Sequence, residues 1–260
     1  MRKLLWTLLL PALACSEDSV ASRGRVVESS AGTVELGIRS RGYTPGTVSS
    51  PARLSGVVAA DSAPADSMVA VSRDQRVCGD SVRMREVRLS GTSLGNALVW
   101  VDGITAGKAL PQVRRSTVTL EKCAFDPRVT AVVAGSTINV FSRDRASHNL
   151  RFYREGAGTP VANILTVDAG QVVPSEQIAE KAGIVEARCE AHPWVRAYVA
   201  VFDHPYFAVT DAQGAFSIAD LPAGTYTLKV WHEGMAQPAE QSVVLGAGGT
   251  GSVQLQVALK

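Results

Sequence analysis

Charge of one sign, long apolar runs and cysteine are all scarce in this chain. Across 260 residues, 26 lysines and arginines stand against 24 aspartates and glutamates, a formal net charge of +2. Such a balance builds no basic field, so nucleic acid is not an expected partner. The one segment addressed to a membrane has an apolar run well short of the roughly 20 residues that span a bilayer as a helix. No His-Glu-x-x-His pair and no phosphate-binding glycine loop followed by Lys and Ser or Thr is present. Gly246 to Gly251 reads as a hairpin, since no helix follows it. No catalytic residue is assigned, and the chain is not expected to be an enzyme. A hydrophobic fraction of 46% with 19% charge belongs to a globular protein. The length suffices for one large or two small domains.

Met1-Arg2-Lys3, the apolar run Leu4 to Leu10, and Pro11-Ala12-Leu13-Ala14 before Cys15 are the parts of an export signal. A cysteine at the cut resembles a bacterial lipobox, in which the thiol is lipidated, although Ala12 stands where that motif has Leu. Ordinary cleavage after Ala14 and retention as a short anchor are the alternatives. A lipidated Cys15 followed by Ser16 implies a periplasmic protein on the outer membrane. Residues 16–50, rich in Ser, Gly, Arg and Thr, read as a flexible tether. Within it, Val34, Leu36 and Ile38 alternate as a strand offered to a partner would.

Beyond the tether, short runs of period two recur. Arg53 to Val58, Met68 to Val71, Met84 to Leu89, Ala97 to Val101, Thr117 to Leu120, Thr137 to Phe141 and Asn149 to Tyr153 are followed by Ala197 to Phe202, Ala215 to Ile218, Tyr226 to Val230 and Ser252 to Val257. Gly, Pro, Asp and Asn punctuate them, the pattern of sandwiches and barrels. Only Ser175 to Ala182 suggests a helical turn. The expected fold class is all-β.

Cysteine arithmetic is more specific. With Cys15 assigned to the leader, Cys78, Cys123 and Cys189 remain, and three cannot pair internally in an oxidising compartment. Cys189 stands apart because Cys189-Glu190-Ala191-His192 places a thiolate and an imidazole on one tight loop. His148, at the edge of a strand, can supply a second imidazole. Two histidines and a thiolate in trigonal array make a type 1 copper site, which leaves Cys78 and Cys123 to form a disulfide. His204 and His232, by contrast, read as structural hydrogen-bonding histidines.

His148-Asn149-Leu150-Arg151-Phe152 and Cys189-x-x-His192 resemble the cupredoxin family. The stretch Val77 to Glu233 resembles, more closely, bacterial periplasmic cupredoxin-like proteins related to methylamine-utilisation proteins. It shares Val77-Cys78-Gly79, Cys123-Ala124-Phe125-Asp126-Pro127 and Cys189 through Tyr198 with them. That resemblance implies a Greek-key β-sandwich over 51–203 with copper on His148, Cys189 and His192. It also implies an axial Met where Val195 stands, and a histidine where Arg128 stands, so both contacts are lost here. Pro193 and Trp194 would then form an apolar rim for a redox partner.

Phe207 to Ile218 and Leu221 to Leu228, with turns at Asp211-x-x-Gly214 and Pro222-Ala223-Gly224, resemble a carboxypeptidase regulatory-like, transthyretin-like sandwich. The expectation is a smaller sandwich over 204–260, completed by strands from 51–75. Two functional classes follow. One is a membrane-tethered copper electron carrier. The other is a non-catalytic subunit that stabilises a membrane electron-transfer complex, respiratory or photosynthetic.

Overall fold

A computed structural model describes residues 37–63, 68–84 and 87–260. The leader with Cys15, the tether up to residue 36, and Arg85 and Glu86 of one expected strand lie outside the described residues. Among the described residues strands dominate. The exceptions are one α-helical turn, Gln75–Cys78, and one 3-10 turn, Gln177–Ala179, where a helical turn was expected. No helix among them is long and apolar enough to cross a membrane. The fold is all-β, in two sandwiches.

The first sandwich has two facing sheets. One sheet runs in the order Ala124–Asp126, Arg115–Glu121, Thr137–Ser142, Val172–Ser175. Its partner runs Val129–Val133, Arg196–Phe202, Gly183–Cys189, His148–Arg154, Ala162–Thr166. Each contains one parallel pair, which requires a crossover connection between its two strands. Period two decides which side chains face inward. Val118 and Leu120, Ile138 and Val140, and Leu150 and Phe152 enter one common core, while the residues between them turn away.

The second sandwich pairs Phe207–Val209, Leu98–Asp102, Gly224–Trp231 and Ala239–Leu245 in one sheet. The other sheet centres on Ala52–Ala60, flanked by Ala215–Leu221 and, in parallel, by Thr250–Val257, with Leu89–Ser90 and Ser93–Leu94 at its edge. The expected boundary at 203/204 therefore does not divide the sheets. Ala52–Ala60 completes the second sandwich, as expected of a strand from 51–75, and Leu98–Asp102, placed in the first domain by its position in sequence, hydrogen-bonds into it as well. Met68–Ala70 does not join it. This strand pairs with Ser81–Arg83, and Val71 enters the first core. Alternation marks a strand but does not name its neighbour, so sandwich membership was beyond its reach.

The two sandwiches share a third cluster. Along Arg196–Phe202, Ala197, Val199 and Val201 point into the first core, while Ala200 and Phe202 point out of it. Those outward residues meet Leu98, Trp100 and Trp231 of the second sandwich. A strand buried on both faces has no polar side, which is why this run is almost continuously apolar. Phe202 stacks on Phe207 with ring centroids 4.7 Å apart, and Tyr198 meets Trp231 edge-on at 5.1 Å.

Arg128 crosses the same boundary. Its Nε and Nη2 donate to the two carboxylate oxygens of Glu233 at 2.6 and 2.8 Å, and Nη2 also donates to the Met84 carbonyl at 3.1 Å. The residue that stands in place of an expected histidine is thus a fully paired interdomain clamp.

Residues 37–50 correct the tether expectation. Ile38 is buried in the shared cluster, so it serves the chain's own interface and is not an edge offered to a partner. Arg41 donates its amide to Asp203, Tyr43 its hydroxyl to the Lys108 carbonyl, and Thr44–Gly46 pairs in parallel with Ala106–Lys108. Two anchors five residues apart, Ile38 in the shared cluster and Tyr43 against the second core, dock this stretch.

Candidate metal centre

Two adjacent strands and one loop deliver three donor atoms to one end of the first sandwich. His148 opens the strand His148–Arg154, and Cys189 closes its antiparallel neighbour Gly183–Cys189. The chain then turns through 190–195, pinned by Val195 N–H to the His192 carbonyl at 2.9 Å and Cys189 N–H to the Val195 carbonyl at 3.2 Å. Glu190 N–H reaches the Asn149 carbonyl at 3.0 Å and ties the loop to the histidine strand. Glu190 is also held by Asn149 Nδ2, and by Arg151 at 2.7 Å.

His148 Nδ1 and His192 Nδ1 lie 3.2 Å apart, and Cys189 Sγ lies 3.7 and 3.6 Å from them. A triangle with those sides has its circumcentre about 2.0 Å from each corner, a metal–nitrogen bond length and slightly under the roughly 2.3 Å of a metal–sulfur bond. Both histidines are completely buried and Cys189 is 4% exposed. Cys189 is the only free cysteine among the described residues; Cys78 and Cys123 form a disulfide. Two further groupings of metal-binding side chains adjoin this one, but each includes a sulfur already committed to that disulfide.

Each ring uses its outer nitrogen on a carboxylate. His148 Nε2 meets Asp144 at 3.1 Å, and His192 Nε2 meets Asp74 at 3.0 Å. Burial works against a charged His148, yet the Asp144 carboxylate and the Cys189 sulfur overcome it and raise its pKa to about 9. Asp144 is held below the usual carboxylate range: burial pushes it up, but bonds from His148, Cys123 and Lys122 outweigh that. His192 is lowered, by burial first and by the neighbouring His148. A positive charge on the His148 ring is thus favoured, and one on the His192 ring disfavoured.

That donor set fits copper. Two imidazole nitrogens and a thiolate in a trigonal array are the ligand set of a type 1 copper site. Val195, fully buried, offers no donor atom. Trp194 is also buried, 4% exposed, with its ring 5.4 Å from that of His192. It lines the inside of the site and so cannot form the exposed rim expected of it; Pro193 alone is at the surface.

The remaining histidines are elsewhere. His204 Nδ1 accepts the Tyr206 amide at 3.2 Å, and His232 Nδ1 accepts that of Gly234 at 3.0 Å. The Gly-x-Ser-x-Gly pattern of hydrolases, expected to be absent, is in fact spelled by Gly91-Thr92-Ser93-Leu94-Gly95. A nucleophile elbow needs a strand–turn–helix. Here Ser93 sits in a hairpin, paired with Ser90 and Ala59. Neither Asp144 nor Asp74 was foreseen; Asp144, four residues before His148, had a readable spacing, while Asp74 is 118 residues from His192.

Residues 182–260 match the carboxypeptidase regulatory-like domain. That range includes Gly183–Cys189 and Arg196–Phe202, which hydrogen-bond within the first sandwich. No curated protein matches the chain. Among solved structures, a reduced amicyanin mutant is similar at 19% identity and a TM-score of 0.30, covering 36% of this chain and 96% of that one. A purple cupredoxin from Nitrosopumilus maritimus is similar at 17% identity and 0.28, covering 33% and 98%. Amicyanin from Paracoccus versutus is similar at 19% identity and 0.29, covering 35% and 84%.

Proposed function

We propose that this chain is a membrane-tethered periplasmic electron carrier with one type 1 copper on His148, Cys189 and His192. The observation that carries the reading is the ligand triangle, dry and already at bonding size. Copper, when bound, supplies a one-electron couple. The chain's own residues do the rest. Two hydrogen-bonded strands and a pinned loop hold the three donors at fixed separations, so little rearrangement accompanies a change of charge. Val195 supplies packing and no thioether, which raises the reduction potential relative to a Met-ligated site.

Electrons would pass to a protein partner over the ligand end of the sandwich. Thr166 is the register partner of His148, and its neighbours Leu165 and Val167 are 57% and 46% exposed. Val172 on the adjoining edge strand is 52% exposed. Apolar surface beside a buried redox ligand, with Pro193 nearby in sequence to His192, suits a transient docking face. Cys15 or the leader would hold the protein at the membrane, and Cys15→Ser should release it into the soluble periplasmic fraction if lipid is the tether.

Adding Cu(II) to the purified protein should give a thiolate-to-copper absorption and one copper per chain, both lost in Cys189→Ser. A colourless wild-type protein retaining no copper would sink the carrier. The missing axial donor at Val195 favours a second reading, an envelope scaffold that keeps the fold without the metal. Co-purification with a membrane electron-transfer complex from copper-free protein would support it.

A further inference from the structure

Asp74 stands at the N-cap of the helix Gln75–Cys78, yet its side chain makes no capping bond. A capping aspartate ordinarily turns its carboxylate onto the backbone amides of the first turn. The backbone carbonyl of Asp74 accepts the Val77 amide at 2.8 Å and, as the first helical bond, the Cys78 amide at 2.9 Å, so the side chain is left to point elsewhere. The residue adopts a left-handed conformation, φ 55, which L-residues other than glycine disfavour. Its carboxylate is thereby freed to meet His192 Nε2 at 3.0 Å.

The helix that presents Asp74 is fastened at both ends. Val71, before it, is buried in the first core, and the Val71 carbonyl accepts Gln75 Nε2 at 2.8 Å. Cys78, at its end, is bonded to Cys123, whose amide donates to Asp144 at 2.8 Å. Asp144 in turn holds His148. One continuous set of contacts therefore runs from the carboxylate behind one ligand, through the disulfide, to the carboxylate behind the other.

We propose that Asp74 is a positioning residue for His192, and that the Cys78–Cys123 disulfide keeps it in place, so that the thiol state of this pair sets the site's preference for Cu(II). The inference rests on the copper reading above. A carboxylate on the outer nitrogen of a ligating imidazole fixes the ring and makes the inner nitrogen a stronger donor. Stronger donation favours the more highly charged ion. Exchange with a dithiol reductant breaks the Cys78–Cys123 bond, leaves two protonated thiols, and closes the reductant's own disulfide. The helical turn Gln75–Cys78 is then untied from Cys123, and Asp74 loses its fixed place.

The test uses the full protein, Asp74→Asn, the double variant Cys78→Ser/Cys123→Ser, and all three changes together. Cu(II) affinity is read by chelator competition and the potential by voltammetry. Asp74→Asn and the double variant should each weaken Cu(II) about 10–100-fold, raise the potential and change Cu(I) binding far less. The combination should be no worse than either alone, because both remove the same contact. Asp74→Asn preserves side-chain volume and the disulfide, so its result stands even if the double variant folds poorly. Copper-loaded Asp74→Asn with unchanged potential overturns the role of Asp74. Additive losses in the combination overturn the link through the disulfide. A wild-type protein that takes up no copper overturns the copper reading itself.

Discussion

The Asp144 carboxylate lies 3.1 Å from Nε2 of His148, and both side chains are buried. The same carboxylate accepts the amides of Lys122 and Cys123 at 2.6 and 2.8 Å. Both of those residues have positive φ, so one acidic side chain steadies an unfavourable turn and orients a ligand together. Asp144→Asn keeps the shape but loses the charge and one acceptor. It should cost about 1–3 kcal/mol in urea unfolding of the metal-free protein. Copper affinity, measured by competition, should fall about 10–100-fold. No change in either would show that the carboxylate does not orient His148.

How much of this was legible depended on distance along the chain. Cys189 and His192 are three residues apart, and His148 stands at a strand edge, so the donors could be read from spacing and residue type. Asp74 could not be, because it lies 118 residues from His192 and only the fold brings the two together. Strands were legible where one face is solvated, as in Thr137–Ser142 with its strict buried and half-buried alternation. Short edge strands were not: Val172–Ser175 contains Pro174, which sequence alone reads as a break. That a strand from 51–75 completes the C-terminal sandwich came from the likeness to a transthyretin-like domain, and Ala52–Ala60 does so by pairing with Thr250–Val257; period two alone names no such partner.

Val195→Met offers the thioether that the site lacks. Val195 is completely buried, so the longer side chain should cost about 1–3 kcal/mol by overpacking. If the sulfur reaches the metal, the reduction potential should fall relative to the wild type, as voltammetry would show. A stability loss with an unaltered potential would mean that position 195 does not face the copper.

Arg128 and Glu233, with side chains 4% and 3% exposed, join the two sandwiches through a two-pronged ion pair. Arg128→Met leaves a buried carboxylate without its cation and should destabilise by about 3–5 kcal/mol. Replacing both, with Met at 128 and Leu at 233, should restore most of that loss, since no buried charge is then stranded. Denaturant curves for the two single variants and the double give the coupling directly. A double variant as unstable as the sum of the singles would show that the pair does not act as a unit.

His204 carries a pH dependence remote from the metal centre. Burial, at 5% exposure, lowers its pKa to about 4, although Asp203 and Asp102 pull the other way. Its Nδ1 accepts the Tyr206 amide, a bond that requires an unprotonated nitrogen there. The unfolded chain, with a histidine pKa of about 6.5, binds the proton more readily than the folded one. Stability is therefore complete above about pH 6.5 and is lost progressively as the pH falls toward 4, by up to about 3 kcal/mol. His204→Asn keeps an acceptor for Tyr206 but cannot titrate, so its unfolding free energy should vary less between pH 6.5 and 4 than that of the wild type. Parallel slopes for the two proteins across that window would place the acid sensitivity in some other group.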